Sequence, residues 1–249
     1  MRNGKMDKKI KTVLVTILAV LMAAIVTLAA LFYCGVLQVN NPDRSLYPVR
    51  GVDVSRYQGR IDWKVLSSED ISFAFIKATE GSSHVDECFE YNWEEAGKTG
   101  LRIGAYHFFS FESPGDTQAD NFIKTVDAKE GMLPPVIDVE FYGKFSKANA
   151  NADGIKDQLR VMVDRLTEHY GMKPLLYVAA DTHTFIVGAD FDDCDLWYRS
   201  VYGAVDDDVA WTFWQYSNRV RLDGYDGEEE YVDMSVFCGS AEEFERYRG

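Results

Sequence analysis

Pro134-Pro135-Val136-Ile137-Asp138-Val139-Glu140 is a short apolar run that finishes in two acids. Its unbroken apolar middle suits a strand covered on both faces, which is how strands of a parallel sheet read. Phe73-Ala74-Phe75-Ile76 and Leu175-Leu176-Tyr177-Val178 read the same way. Outward from these, eight strand candidates follow one another, at residues 51–55, 72–79, 102–110, 134–140, 174–179, 195–202, 210–217 and 231–237. Helical patterns separate the earlier ones. Ile155, Leu159, Met162, Val163, Leu166 and Tyr170 recur at steps of three and four, and Gly171 supplies the stop. Ser113-Pro114 with Asp116 reads as an N-cap and first turn, and Ser240 with Glu243 as a capping box. The later strands are joined by Gly- and Asp-rich stretches (Asp206-Asp207-Asp208 and 223–227) with little room for helices. The expected fold is α/β: one irregular, TIM-like β/α barrel over residues 51–249, with a partly incomplete outer helix layer.

The strand ends carry the functional signal. Asp53 closes the first strand, Lys77-Ala78-Thr79-Glu80 the second, Asp138 and Glu140 the fourth, and Asp233 sits in the last. In such a barrel the C-terminal strand ends converge on one rim, where chemistry occurs. Asp138 and Glu140 are two apart, so they share a face. Two carboxylates on a low-dielectric rim do not both ionise freely, and one becomes a proton donor beside an ionised partner. Glycoside hydrolysis needs that pair. Taken alone, such a pair is also consistent with a solvated surface or a calcium ligand set. The apolar approach and the acids on other strand ends favour catalysis. Trp197, Trp214, Gln215 and Tyr216 suit a sugar-binding floor, since pyranose C–H faces pack on rings while amides take hydroxyls. Tyr177 joins them as a substrate-binding candidate, and Trp63 and Trp211 read as core.

Composition narrows the partners. The 249 residues are 47% apolar and 27% charged, which is globular rather than disordered. A net charge of −14 argues against nucleic acid. Four Cys without a C-x-x-C pair and four unclustered His favour no metal site, and no cofactor is expected. Cys88, Cys194 and Cys238 allow at most one bridge, with three possible pairings.

The first forty residues are a separate object. Residues 1–42 hold Arg2, Lys5, Lys8, Lys9 and Lys11 against Asp7 alone, leaving a net −18 for the rest. Val13–Leu37 gives 25 largely apolar positions, where a spanning helix needs ~20. A cleaved signal has a shorter apolar core and small residues at its end, and Tyr33 before Cys34 argues against lipid attachment. The expectation is a cytoplasmic basic segment (1–11), a transmembrane signal anchor (12–38), a tether (39–50) and an extracellular barrel, held at the cell membrane by a single pass.

Six motifs then occur in an order that resembles glycoside hydrolase family 25, the lysozymes of the Chalaropsis and phage-endolysin type. They are Gly51-Val52-Asp53-Val54-Ser55, Phe75-Ile76-Lys77-Ala78-Thr79-Glu80-Gly81, Gly104-Ala105-Tyr106-His107-Phe108, Pro135–Glu140, Trp214-Gln215-Tyr216 and Val232-Asp233. The spacing of Asp86, Phe89, Asn92, Ala96, Gly100 and Leu101 is also similar, and the likeness covers about residues 50–239. The resemblance implies hydrolysis of the β-1,4 bond between N-acetylmuramic acid and N-acetylglucosamine in peptidoglycan. It implies Glu140 as proton donor and Asp138 working with the substrate's 2-acetamido group. Asp53, Asp233, Tyr106 and Lys77 would line the cleft. Neighbouring carboxylates on one face fit a substrate-assisted route better than a pair bracketing the sugar.

One departure stands out. Where the family carries a small residue after Leu196-Trp197, this chain has Arg199, which fits either a substrate carboxylate or a surface ion pair. A non-catalytic peptidoglycan-binding module is the alternative function, but no acid of the set is missing. A chitinase-like barrel would need further acids where Pro134 and Val136 stand.

Overall fold

The computed structural model describes residues 7–33, 37 and 40–249, in two units, Met1–Val39 and Asn40–Gly249. Arg2, Lys5 and Cys34 lie outside the described residues. In the first unit, helix α1 (Lys8–Tyr33) has no acid in its first turn. Its Lys8–Phe32 stretch has a mean hydropathy of 2.8 and nothing buried against protein. At 1.5 Å per residue it is long enough for a ~30 Å hydrocarbon layer. Thr12 and Thr16 give their hydroxyl protons to the carbonyls of Lys8 and Thr12, both at 3.0 Å.

The second unit is built on nine strands: β1 (Arg50–Val54), β2 (Phe73–Glu80), β3 (His84–Val85), β4 (Arg102–Phe108), β5 (Val136–Val139), β6 (Leu175–Ala179), β7 (Leu196–Arg199), β8 (Phe213–Val220) and β9 (Val232–Phe237). Their order is β1-β9-β8-β7-β6-β5-β4-β2-β3, and β1 also pairs with β2, so eight strands close a barrel. Strands β2 and β4 to β8 run parallel, while β9 is antiparallel to both β8 and β1. The two-residue β3 is a spur on β2, too short to leave a periodic signal.

Alternation gives the barrel two apolar layers. Val52, Ile76, Ile137, Val178 and Tyr198 face outward to the helices. Phe73, Phe75, Val136, Leu175, Tyr177, Trp197, Phe213 and Phe237 fill the interior. The interior is crowded enough to demand glycine at two inward positions. A Cβ on Gly51 would meet the Phe73 ring at 2.3 Å, and one on Gly104 the Phe75 ring at 2.6 Å.

Around the parallel strands lie α2 (Trp63–Leu66), α3 (Phe89–Ala96), α4 (Gly115–Thr125), α5 (Ala152–Tyr170) and α6 (Ala180–Thr182), the last running into π and 3-10 turns up to Phe191. Gly171 ends α5 at φ 68°, its N–H reaching Thr167. Ser240 and Glu243 form the reciprocal cap of α7 (Ala241–Arg246). The cap of α4 falls one residue later than expected, at Pro114 rather than Ser113, with its first residue Gly115 packed on the Gln158 carbonyl of α5. Among the described residues no helix joins β7 to β8 or β8 to β9, so the outer layer is open there.

The stretch expected to be a tether closes part of that opening. Asn40 donates its side-chain amide to the carbonyls of Ser200 and Gly203, each at 2.9 Å. Tyr47 packs on Trp211 and Trp214. Arg50 is 3% exposed and bonds Asn41, Pro42 and the Tyr216 hydroxyl. A buried guanidinium needs all those acceptors, which draws residues 40–49 onto the wall.

Candidate active site

The upper end of the barrel interior changes character over one residue step. Below lie the rings of Phe73, Phe75, Trp197 and Phe213. Above them, the next inward positions are Asp53, Lys77, Tyr106, Asp138, Arg199, Gln215 and Asp233. Register links them: Asp53 faces Asp233, Lys77 faces Tyr106, Asp138 faces Phe108 and Tyr177, and Arg199 faces Gln215. Glu140 follows directly at the end of β5.

Gln215 is the clasp of this ring. Its Nε2 donates to Asp53 Oδ2 at 3.0 Å and Asp233 Oδ2 at 2.9 Å, while its Oε1 accepts from the Tyr177 hydroxyl at 2.9 Å. The amide is 1% exposed, so every bond it makes fixes geometry. Lys77 is held by Glu80, Nζ to Oε2 at 2.9 Å, and lies 5.1 Å from the Phe108 ring centre. A bulge between Lys77 and Thr79 permits this. Thr79 thereby turns outward to His107 Nδ1 at 2.7 Å, and His107 Nε2 meets Gln118 Oε1 at 3.1 Å. His107 is thus part of the wall beneath α4, and burial lowers its pKa to about 4.

The carboxylates sit over an apolar floor, and their proton affinities respond. Burial raises Asp53 to about 7, with Gln215 and Arg199 opposing and Glu140 adding to the rise. Burial likewise lifts Asp138 and Asp233 well above the usual range, helped by Glu140 for the first and Asp53 for the second. Glu140 is raised too, again chiefly by burial. Desolvation is the largest cause for Glu140, with Arg199 pulling its pKa down and Asp181 pushing it up. Tyr106 and Tyr177 are held far above 10 by burial and the nearby acids, so both remain phenols. Asp138 Oδ1 is buried and has no protein hydrogen-bond partner, a costly state for a carboxyl oxygen.

Residues 52–225 match the sequence profile of Glycosyl hydrolases family 25. The chain belongs to that family. It is a glycoside hydrolase by that membership, and its relatives cover most of the barrel. A family 25 glycosyl hydrolase structure from Bacillus anthracis is 46% identical, with TM-score 0.79 over 86% of this chain and 98% of that one. YegX of Escherichia coli strain K12 is 37% identical over 208 residues, 81% of this chain and 74% of its own. Lysozyme M1 of Streptomyces globisporus is 32% identical over 209 residues, 78% of this chain and 69% of its own.

Within this family 25 chain, the ring gathers Asp53, Lys77, Tyr106, Asp138, Glu140, Tyr177, Gln215 and Asp233 from the sequence-derived set. Three aromatic candidates fall elsewhere. Trp214 and Tyr216 alternate with Gln215, so they point outward, into the layer that holds Tyr47 and Arg50. Trp197 faces inward but one level too deep, 2% exposed, stacked on Phe75 at 4.6 Å and bonded to Ser235. None of the three offers a ring face to a sugar. The half-exposed rings beside the acids are Phe108, the last residue of β4, and Phe111, Phe141 and Tyr142 from the loops after β4 and β5. Loop aromatics such as Phe111, Phe141 and Tyr142 carry no periodicity in the sequence, and the Phe141-Tyr142 pair directly after Glu140 is the signal that marks them. Asp86 and Asn92 have scaffold roles. Asp86 accepts from the backbone of Arg56 and Cys88, and Asn92 ties Gly59, Ile61 and Trp63 together. Cys88, Cys194 and Cys238 are all free, and no His/Cys/acid group among the described residues could hold a metal ion.

Proposed function

We propose that the enzyme hydrolyses peptidoglycan glycan strands at the β-1,4 bond between N-acetylmuramic acid and N-acetylglucosamine, with Glu140 as the acid. The observation that carries this reading is a burial-raised Glu140 at the rim beside Asp138, whose inner oxygen lacks a partner. Glu140 gives its proton to the bridging oxygen as the C1–O bond breaks. The acetamido carbonyl oxygen of the same sugar attacks C1, forming a cyclic oxazolinium ion. The acetamido N–H supplies the donor that Asp138 Oδ1 lacks, which orients the group. Water then opens the ring, yielding its proton to the Glu140 carboxylate, so configuration is retained. Asp53, Asp233, Gln215 and Tyr177 hold the floor, Lys77 and Tyr106 offer donors, and Phe108 and Tyr142 flank the sugar. A binding-only module is disfavoured because the full acid set is present.

The chain acts from the membrane in this reading. α1 spans the bilayer with its lysine-bearing start in the cytoplasm and the barrel outside. Protease added to intact cells should then remove the C-terminal 200 or so residues. Mass spectrometry of peptidoglycan digested by the full-length enzyme tests the bond: muramic acid at the new reducing ends is expected. N-acetylglucosamine there would assign a different bond. Efficient turnover of a fully de-N-acetylated glycan would remove the acetamido step.

A further inference from the structure

We propose that Arg199 is the seat for a carboxylate carried by the substrate, the free lactyl group of the muramic acid sugar, so that the enzyme favours strands already stripped of peptide. This rests on the muramidase reading above and goes beyond it. Arg199 ends β7 and faces inward, in register with Ala179 on β6 and Gln215 on β8. Val139 pairs with Val178, so one step on brings Glu140 level with Ala179 and Arg199. Only a methyl group separates the two charged side chains along the rim, across two strand spacings of about 10 Å.

The guanidinium is half-buried, yet among the described residues it makes no hydrogen bond and no ion pair within 4 Å. Lys77, the other cation of the ring, is already bonded to Glu80. A partly desolvated guanidinium without a partner is costly, and its planar fork matches a carboxylate bidentately. Arg199 does act at a distance on Asp53, Glu140 and Asp233, in each case favouring the anion. Asp53 and Asp233 both accept from the Gln215 amide instead of from the guanidinium, which leaves the fork to an incoming group.

The chemistry of muramic acid names that group. Its C3 lactyl arm adjoins the C2 acetamido that Asp138 would take, and a pyranose with that arm spans a gap of this order. In peptide-bearing strands the lactyl carboxyl is a neutral amide. An amidase that hydrolyses this bond frees the carboxylate, and is the class of reaction that must precede optimal cleavage here.

The test compares two probes on full-length enzyme in detergent: peptide-free glycan strands with lactyl carboxylates intact, and the same strands with them converted to methylamides. Wild type should prefer the acid form. Arg199→Gln should lower the acid-to-amide ratio of kcat/KM roughly tenfold or more, mostly through KM, with Arg199→Lys in between. Circular dichroism would confirm that both variants fold. An unchanged ratio overturns the proposal. Equal losses on both probes with a displaced pH profile overturn it too, and make Arg199 a positioning residue acting through Glu140. Wild-type inactivity on both probes is a separate result, which removes the muramidase reading and this proposal together.

Discussion

The lower and upper layers of the barrel interior are built on the same strands and do opposite work. Below, Phe73, Phe75, Trp197, Phe213 and Phe237 pack ring against ring at centroid separations from 4.6 to 5.7 Å. Above, further inward along the same strands, all the side chains but Gln215 are ionisable, and three of the four acids have strongly raised proton affinities. The layers depend on each other. The apolar floor stabilises the barrel and also supplies the low-dielectric boundary that raises the proton affinity of the acids above it. Stability and reactivity are thus separated by depth, not by element.

Four measurements would break or sharpen that separation. Glu140→Gln should cost about 10²–10⁴ in kcat while the thermal midpoint holds or rises. A fully active variant would move the acid elsewhere. Trp197→Ala, one layer down, should lose ~3–5 kcal/mol in urea unfolding, because it opens a cavity beneath Gln215 and frees Ser235. A loss of activity without loss of stability would put Trp197 in the upper layer after all.

The third is a pH series on Asp53→Asn. The folded pKa of Asp53, about 7, lies above its ordinary 3.8, so between those values the folded form keeps a proton the unfolded chain has released. This site's contribution to stability is therefore full below pH 4 and declines as pH rises through 7. The Asn variant, which keeps an oxygen for Gln215, should gain on the order of 1–3 kcal/mol over wild type at pH 8 and nothing at pH 3.5. His107 works the other way, its folded pKa of about 4 lying below 6.5, so acid between those values destabilises wild type and variant alike. A gain independent of pH would mean that burial does not govern the ring. The smallest effect is expected outside: Tyr216→Phe removes one acceptor from Arg50 and should cost ~1 kcal/mol with kcat unchanged.

Much of this was legible from residue order. Unbroken apolar runs marked the parallel strands, and the two-residue step from Asp138 to Glu140 put both acids on the inner rim. That same step separates Gln215 from Trp214 and Tyr216, and there the chemical attraction of tryptophan for sugars overrode the alternation. Trp197 failed for another reason: alternation gives the face of a residue but not its depth, which depends on the pairing of Tyr177 with Trp197. Arg50 and residues 40–49 were unreadable because their partners, Ser200, Trp211, Trp214 and Tyr216, lie more than 150 positions away. Arg199 was visible only as an oddity, since nothing local shows whether a cation already has a partner.

The strap formed by residues 40–49 has a practical consequence. A shortened version beginning at Gly51 would look sensible on a strand diagram, yet it would strip Tyr47 from two indoles and take away Arg50 with its ring of acceptors. It would bare an oily wall where no helix stands guard. Soluble forms of the enzyme should therefore be cut ahead of Asn40, and their tendency to clump should climb sharply as the cut moves past Tyr47.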